Sequence, residues 1–343
     1  MKTFKPITKE NAHNYQIEPN NLEAKPEFFI IQSANACIDE AKLLGRPKRL
    51  FSEFWHEGEL CILFADTNVG KSILGVQIAD AISRGYSYPG FITESSPQVV
   101  LLFDFELSNK QFEKRYSNDF TNHYVFHRNL MRAYINPDNL SFEDFEKLLL
   151  DELEKAITKT GAKVIIIDNI TYLKTQSTET AKEALPLMKT LKHIKYKYDL
   201  SILALAHTPK RNMCNPITVN DLAGSKHLAN FVDSVFAIGV SQKDKSIRYL
   251  KQIKARATEK IYDHDNVVVC EICNPLNFLG FIFLEFSKEY DHLKQPNQKE
   301  SDELESAILA MKMGDNRLSL REIANALDTN PMKVKRVLGR NGF

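Results

Sequence analysis

An α/β fold with a mostly parallel sheet is the fold class that this 343-residue sequence predicts. Apolar, strand-like runs alternate with helical stretches from Leu50 to about Phe286. Runs such as VIII and ILALA also lack polar alternation, which is typical of strands that helices cover on both faces. Together these patterns are the signature of a parallel sheet flanked by helices. We therefore expect one large α/β domain with shorter segments attached to it.

The composition is that of a chain that can bury a core, and the balance of charges does not indicate a class of binding partner. Hydrophobic residues make up 43%, and 45 Lys and Arg face 44 Asp and Glu. Since no basic field covers the whole chain, any nucleic-acid site must be local. The five cysteines are an odd number, and the apolar runs are too short to span a bilayer. These features predict a soluble, cytoplasmic protein with no membrane partner.

Composition divides the chain into four segments. Residues 1–45 predict an N-terminal helical lead-in, and residues 46–286 hold the alternating pattern of the core. Residues 287–301 are polar, contain Pro296 and predict a linker. Residues 302–343 predict a small all-α module.

Eight apolar runs in the core are strand candidates, and one helix between them is especially clear. The strand candidates are residues 59–65, 98–104, 163–168, 200–207, 233–240, 247–254, 266–272 and 280–286. The clear helix lies at residues 141–161, where Ser141 is the expected N-cap and Gly161 stands at the C-terminal end.

A phosphate-binding loop is predicted where the first strand candidate passes into the helical stretch SILGVQIADAISRG. The loop residues are Ala65, Asp66, Thr67, Asn68, Val69, Gly70, Lys71 and Ser72. Backbone N–H groups of such a loop wrap the β-phosphate of a nucleotide, and the helix dipole adds to the attraction. We expect Lys71 to reach the β- and γ-phosphates and the Ser72 hydroxyl to hold Mg²⁺. ATP and Mg²⁺ are therefore the expected ligands.

A carboxylate at the same predicted edge of the sheet is a candidate for the metal site. Asp168 ends the run KVIIID, and ligands of open α/β sheets bind at the carboxyl ends of the strands. We interpret Asp168 as the Walker B aspartate, which acts on Mg²⁺ through its water shell. The alternative is an ordinary Asp in a turn after a strand.

Further segments resemble the RecA and DnaB families of ATPases. LLFDFELSNKQFEKR (101–115) resembles the segment after the second core strand of DnaB-type replicative helicases. IIIDNITYL (165–173) looks like their Walker B strand, and LALAHTPKR (203–211) looks like the strand after it. The resemblance covers about residues 46–286, and it implies a RecA-like P-loop core.

The same resemblance assigns roles to individual side chains near the γ-phosphate. It implies that Glu106 orients and deprotonates the attacking water, and Asp104, two residues away, is the competing candidate. His207 takes the place of a γ-phosphate sensor that is usually Gln in DnaB-type proteins. In this respect the chain resembles the RepA-type hexameric helicases of plasmids and mobile elements. A buried histidine with satisfied hydrogen bonds is the alternative.

Two basic groups are implied to act at interfaces. Lys254 and Arg256 resemble the Lys-x-Arg pair that reaches the neighbour's γ-phosphate in DnaB-type rings, which implies a homo-oligomer such as a hexameric ring. A basic edge strand that pairs with acidic neighbours is the alternative. The loop at 208–220 resembles the segment that grips DNA in RecA-like rings, with Lys210, Arg211 and Lys226 as the nearby basic residues. A solvated loop with scattered charge is equally consistent with these residues.

The C-terminal segment predicts three short helices, at residues 303–312, 319–328 and 330–340. The second and third resemble a helix-turn-helix, in which the later helix reads DNA. That last helix carries four basic residues and no acidic one, which predicts contact with the DNA backbone. The basic residues are Lys333, Lys335, Arg336 and Arg340. A module that packs subunits or a partner protein is the alternative.

Taken together, these features predict Mg-dependent ATP hydrolysis coupled to DNA binding or translocation, as in a RepA- or DnaB-like helicase of a mobile element. The expected DNA is single-stranded in the core, and duplex DNA is an option for the C-terminal module. The N-terminal primase-binding domain of replicative DnaB has no counterpart, which argues against a chromosomal-replication role. Two alternatives remain: an ATP-switched DNA-binding regulator that does not unwind, and a KaiC-like ATPase that acts on proteins.

Overall fold

The structure, a computed structural model, describes residues 29–136, 145–173, 181–209, 211–222, 225–294 and 298–342. The chain divides into two units, Met1–Arg46 and Pro47–Phe343. The described part of the first unit contains one helix, α1 (Ala34–Leu43), which begins after Ser33 because the Ser33 hydroxyl accepts a hydrogen bond from the Ala36 N–H. The described residues include no helix long and apolar enough to cross a bilayer.

The second unit holds the strands and the remaining helices. The strands are β1 (Arg49–Phe51), β2 (Trp55–His56), β3 (Leu60–Ala65), β4 (Val100–Asp104), β5 (Ser117–Asn118), β6 (Asn122–His123), β7 (Leu130–Ala133), β8 (Val164–Asp168), β9 (Ser201–His207), β10 (Ser234–Val240), β11 (Ile247–Ala255), β12 (Val267–Cys273) and β13 (Gly280–Ser287). The helices are α2 (Lys71–Arg84), α3 (Asn109–Arg115), α4 (Phe145–Thr160), α5 (Ala181–Tyr198), α6 (Ser225–Phe231), α7 (Gln298–Gly314), α8 (Leu320–Ala326) and α9 (Pro331–Arg340).

A nine-stranded sheet organises the core, with the strand order β13-β12-β11-β10-β3-β9-β8-β4-β7. The strands from β10 to β7 in this order are parallel to their neighbours. The strands β11, β12 and β13 pair antiparallel at one side. The sheet is therefore mostly parallel, as predicted, and it fits a RecA-like core.

Both faces of the central strands of the sheet are buried, as the unbroken apolar runs predicted. Successive side chains of a strand point to opposite faces. Accordingly, Ile62 and Phe64 belong to one hydrophobic cluster, to which α4 and α5 also contribute. Cys61 and Leu63 belong to a second cluster, to which α2 contributes. The carboxyl ends of the parallel strands therefore form one edge, at which loops can carry functional side chains.

Several elements differ from the predicted ones. The edge strand β7 was not predicted, because its four residues include Arg132 and are half-buried or exposed rather than forming an apolar run. The helix α7 begins at Gln298, inside the segment predicted as a linker, and a 3-10 turn at Glu289–His292 precedes it. The expected N-cap Ser141 lies outside the described residues.

The C-terminal helices have a small hydrophobic core of their own. The residues of this core are Ile308, Ile323, Ala324, Val334, Val337 and Leu338. Ser319 begins α8 with a capping box, and Asn330 caps α9 with Pro331 at its first position. These caps are the ones that the sequence predicts.

Candidate active site

The phosphate loop lies between β3 and α2, at the carboxyl ends of the parallel strands. Gly70 precedes the helix with φ 116, a conformation that L side chains rarely adopt. A Cβ at this position would lie 2.7 Å from Cδ1 of Ile272 and 2.9 Å from Cζ of Phe281. In the described part of the chain, no side chain caps the start of α2. Its first backbone N–H groups are therefore left for an anion.

Lys71 is held inside this loop. Its ammonium donates hydrogen bonds of 2.9 Å to the carbonyl oxygens of Ala65 and Asp66. Burial lowers the pKa of Lys71, and the nearby carboxylates of Asp168 and Glu106 oppose this shift. The cation thus lies among the groups that are expected to handle phosphate and metal.

Ser72 and Asp168 form the candidate metal site. The Ser72 hydroxyl lies near the Asp168 carboxylate and favours its ionised form. Asp168 ends β8 and is 4% exposed. Burial raises the pKa of Asp168 to about 6; the charges of Glu106 and Asp104 act in the same direction, whereas Ser72 and Lys71 oppose it. A divalent cation would stabilise this buried carboxylate, so the oxygen ligands present fit Mg²⁺.

Asp104 is committed to holding the loop that follows β4. Its Oδ1 accepts from the backbone N–H groups of Glu106 and Leu107, at 3.1 and 3.0 Å. Its Oδ2 accepts from Nε of Arg132 at 2.8 Å. Both carboxylate oxygens of this buried residue are therefore engaged in structural bonds, and Arg132 is a supporting residue that the sequence did not reveal.

Glu106 is the more accessible of the two carboxylates, with 33% of its side chain exposed. Its Oε1 accepts from Nδ2 of Asn169 and lies 3.5 Å from Nε2 of His207. His207, Asn169 and Lys71 keep the pKa of Glu106 below its usual range, although partial burial acts in the opposite direction. An ionised carboxylate of this kind can accept a proton from water.

Asn169 connects the expected base to the expected sensor. Its Nδ2 lies 2.9 Å from Nε2 of His207, at the end of β9. The one sequence signal for this residue is its position directly after Asp168. Its contacts with Glu106 and His207 cannot be read from spacing, because they join three separate strand ends.

A comparison with protein families identifies what this arrangement belongs to. A family model described as an AAA domain matches residues 35–213, slightly more than half of the chain. The chain belongs to the AAA-domain family of P-loop ATPases. The matched span includes the phosphate loop, Glu106, Asp168 and His207. Such a domain is an ATPase that binds nucleotide and usually uses Mg²⁺. No curated protein matches the chain.

Lys254 and Arg256 lie toward the amino ends of the parallel strands, away from the phosphate loop. In the antiparallel pair, Lys254 stands opposite Val235, near the start of β10, and Val235 pairs with Ile62 near the start of β3. At about 3.3 Å per residue, Lys254 is level with a point roughly 10 Å before the end of β3. The pair is therefore not brought to the phosphate loop of its own chain.

Both side chains have partners within the chain. The Lys254 ammonium donates to the carbonyl oxygens of Ala229 and Val232, at 2.7 and 2.8 Å. Nη1 of Arg256 lies 3.2 Å from Oδ1 of Asp233, and half of the Arg256 side chain is exposed. Burial lowers the pKa of Lys254. The pair thus stabilises the C-terminal end of α6.

Of the residues expected to contact DNA, Arg211 lines a pocket with Ala65 and Asp66 of the phosphate loop, and the others lie on α6, on α9 or outside the described residues. Lys210 lies outside the described residues, and Lys226 belongs to α6, where its side chain is not among the described ones. Nη2 of Arg211 donates to the carbonyl oxygen of Asn215 at 2.7 Å, while Nε and Nη1 are buried. On α9, Lys335, Arg336 and Arg340 are exposed and Lys333 is half-buried.

Proposed function

We propose that this chain is a ring-forming, DNA-dependent ATPase that resembles RepA- and DnaB-type helicases and serves replication or transfer of a mobile element. The observation that carries the proposal is the meeting of four strand ends. The phosphate loop after β3, Asp168 of β8 and the Glu106 loop after β4 converge at one edge, with His207 of β9 among them. Phosphoryl transfer needs this combination of a cation, a metal site and a water-activating carboxylate.

Each side chain has a distinct part in hydrolysis. Lys71 binds the β- and γ-phosphates and stabilises the negative charge that develops on the γ-phosphate. Glu106 orients the attacking water and takes its proton. Ser72 and Asp168 would hold Mg²⁺, which neutralises phosphate charge when it is bound. His207 contacts the γ-phosphate and signals its presence to the loop after β9.

The position of Lys254 and Arg256 supports a ring. Since they lie at the far edge of the sheet from their own phosphate loop, they can act on a nucleotide only when a neighbouring subunit presents one. A head-to-tail interface of this kind closes into a ring when the rotation between subunits closes. Arginine suits the role because its charge is permanent and its fork matches phosphate oxygens.

The DNA part of the proposal is supported by charge and by position. The helix α9 exposes basic side chains and carries no acidic residue. The segment from Arg211 to Leu222 follows the sensor strand closely, so that movement of His207 can reach it. Both sites would bind through the phosphate backbone, and binding should therefore weaken with salt.

Unwinding of a forked DNA duplex tests this function. We expect the wild-type protein to separate the strands in an ATP-dependent manner, and Lys71→Ala to do so no faster than a blank without protein. ATP turnover and DNA binding without strand separation would favour an ATP-switched regulator, for which the basic helix α9 is the supporting feature. ATP turnover that ignores DNA would favour an ATPase that acts on proteins.

A further inference from the structure

Asn169 lies at the point where the base and the sensor meet. It directly follows Asp168 at the end of β8 and is 1% exposed. Its Nδ2 donates to Oε1 of Glu106 and lies 2.9 Å from Nε2 of His207. Its Oδ1 accepts from the backbone N–H of Thr171 at 2.9 Å and also from the Thr171 hydroxyl. The amide therefore has partners on both of its polar atoms.

The Thr171 N–H settles which way the amide of Asn169 faces. A backbone N–H can only donate, so the amide atom that it contacts must be the acceptor, Oδ1. A flipped amide would set its NH₂ group against this N–H and its oxygen against the Glu106 carboxylate, which are two repulsive contacts. The NH₂ group thus faces Glu106 and His207, with one hydrogen for each.

Nε2 of His207 can then make one of two hydrogen bonds, but not both at once. Without a proton it accepts from Asn169, and with a proton it donates to Glu106, whose Oε1 is 3.5 Å away. The other ring nitrogen, Nδ1, is buried and has no hydrogen-bond partner in the described part of the chain. The ring is therefore held through Nε2, and a contact with phosphate would compete with these bonds.

We infer that Asn169 is a positioning residue that couples the γ-phosphate sensor His207 to the catalytic base Glu106. When His207 turns to a phosphate, Asn169 loses one of its two acceptors and its NH₂ group serves Glu106 alone. The orientation of the carboxylate thus depends on the state of the sensor. This inference rests on the proposed ATP hydrolysis and adds a regulatory link within the same site.

The substitution Asn169→Asp tests the link with little change in shape. The aspartate keeps an acceptor for Thr171 but removes both hydrogens, and it sets a second carboxylate against Glu106. We expect kcat for ATP to fall about a hundredfold, with the affinity for nucleotide changed less than about twofold, because misplacing a catalytic group costs about this much. Thr171→Val is the matched control, since it removes the hydroxyl and keeps the orienting backbone N–H. Its kcat should stay within about threefold of wild type.

A double-mutant cycle separates coupling from general structural support. We expect Asn169→Ala and His207→Ala together to lose no more kcat than the worse single variant, because both break one chain of contacts. Asn169→Ala also serves if Asn169→Asp does not fold. Losses that multiply, or a wild-type kcat in either Asn169 variant, would overturn the inference.

The controls also separate this inference from the proposed function. Turnover that depends on Lys71 but not on Asn169 would overturn only the link between sensor and base. Equal, background rates in the wild type and in Lys71→Ala would overturn the proposed hydrolysis, and the link with it. A large loss of kcat in both Asn169 variants, with unchanged nucleotide affinity and no further loss on adding His207→Ala, would support both.

Discussion

Asp104 and Glu106 are two residues apart, yet their surroundings give them different tasks. Asp104 is buried, and both of its carboxylate oxygens accept hydrogen bonds, from Arg132 and from backbone N–H groups. Glu106 is one-third exposed and lies beside His207. A general base needs an oxygen that water can reach, which favours Glu106. The loop geometry imposed by Asp104 is also what places Glu106 near Lys71.

Glu106→Gln and Asp104→Asn should therefore fail in different ways. We expect Glu106→Gln to keep ATP bound while turnover falls at least about a hundredfold, because the proton acceptor is gone. Asp104→Asn leaves Arg132 without its buried partner and should reduce the free energy of unfolding by about 3 kcal/mol. Nucleotide binding, turnover and urea unfolding measured on both variants check this, and the reverse pattern would make Asp104 the base.

The ionised form of Asp168, which would hold Mg²⁺, should lower the stability of the metal-free protein. Its pKa is raised from 3.8 to about 6, so the folded protein retains the proton that the unfolded chain releases between these values. The stabilising effect of protonation is complete below about pH 4 and is lost as the pH rises through about 6. Ionised Asp168 then costs the metal-free protein about 3 kcal/mol at pH 7.5.

The substitution Asp168→Asn removes this cost together with the metal ligand. We expect the metal-free variant to be about 3 kcal/mol more stable than wild type at pH 7.5, with a smaller gain at pH 5 and little at pH 4. Mg-dependent turnover should be lost. Urea unfolding at the three pH values measures the gain, and a gain that is the same at all of them would contradict the raised pKa.

The site residues that the sequence predicts are those whose role follows from spacing. Lys71 and Ser72 follow a strand and begin a helix, and Asp168 ends an apolar run, so their chemistry can be read locally. Asn169 and Arg132 have no such signal. Their roles depend on contacts with Glu106 and Asp104, which lie on other strand ends and are far away in sequence.

At the scale of elements, apolar runs predict the central strands better than the edges. All eight predicted runs are strands with ends within two residues of the predicted ones, because strands buried on both faces must be continuously apolar. The edge strand β7 exists through its pairing with β4 and needs only partial burial, so Arg132 is tolerated in it. The antiparallel side of the sheet could not be derived from strand patterns alone, since they carry no pairing direction.

A buried ion pair anchors the segment that follows β9. Glu289 is 1% exposed, contacts the Lys251 ammonium and accepts from the N–H of Ile217 at 2.7 Å. Lys251 donates to the carbonyl oxygen of Ile217 at 2.8 Å. The pair thus holds both backbone polar groups of one residue, Ile217, within the candidate DNA segment.

Breaking this pair should destabilise the second unit. We expect Lys251→Met to lower the free energy of unfolding by about 3–5 kcal/mol, because Glu289 is left buried and unpaired. Adding Glu289→Gln should restore part of the loss, since the buried charge is removed. Denaturant unfolding of the wild type and the two variants measures this, and a loss below about 1 kcal/mol in Lys251→Met would contradict the anchoring role.

At the scale of the molecule, the placement of Arg256 predicts an active site shared between subunits. We expect Arg256→Ala and Glu106→Gln proteins to be inactive alone while both still bind ATP. Mixed before assembly, they should recover part of the turnover, because some interfaces then combine an intact Glu106 with an intact Arg256. The control combines rings of the two variants that were assembled separately. Full activity of Arg256→Ala alone would leave Arg256 with its structural role beside Asp233.

The steady-state rate of ATP turnover with and without single-stranded DNA, at two salt concentrations, tests the central claim most directly. The account predicts strong stimulation at low salt that weakens at high salt, because Lys and Arg contacts with phosphates release counterions. The P-loop variant Lys71→Ala should show no turnover under any of these conditions. Turnover that depends on Lys71 but is unchanged by single-stranded and duplex DNA at both salt concentrations would contradict the claim of a DNA-coupled motor.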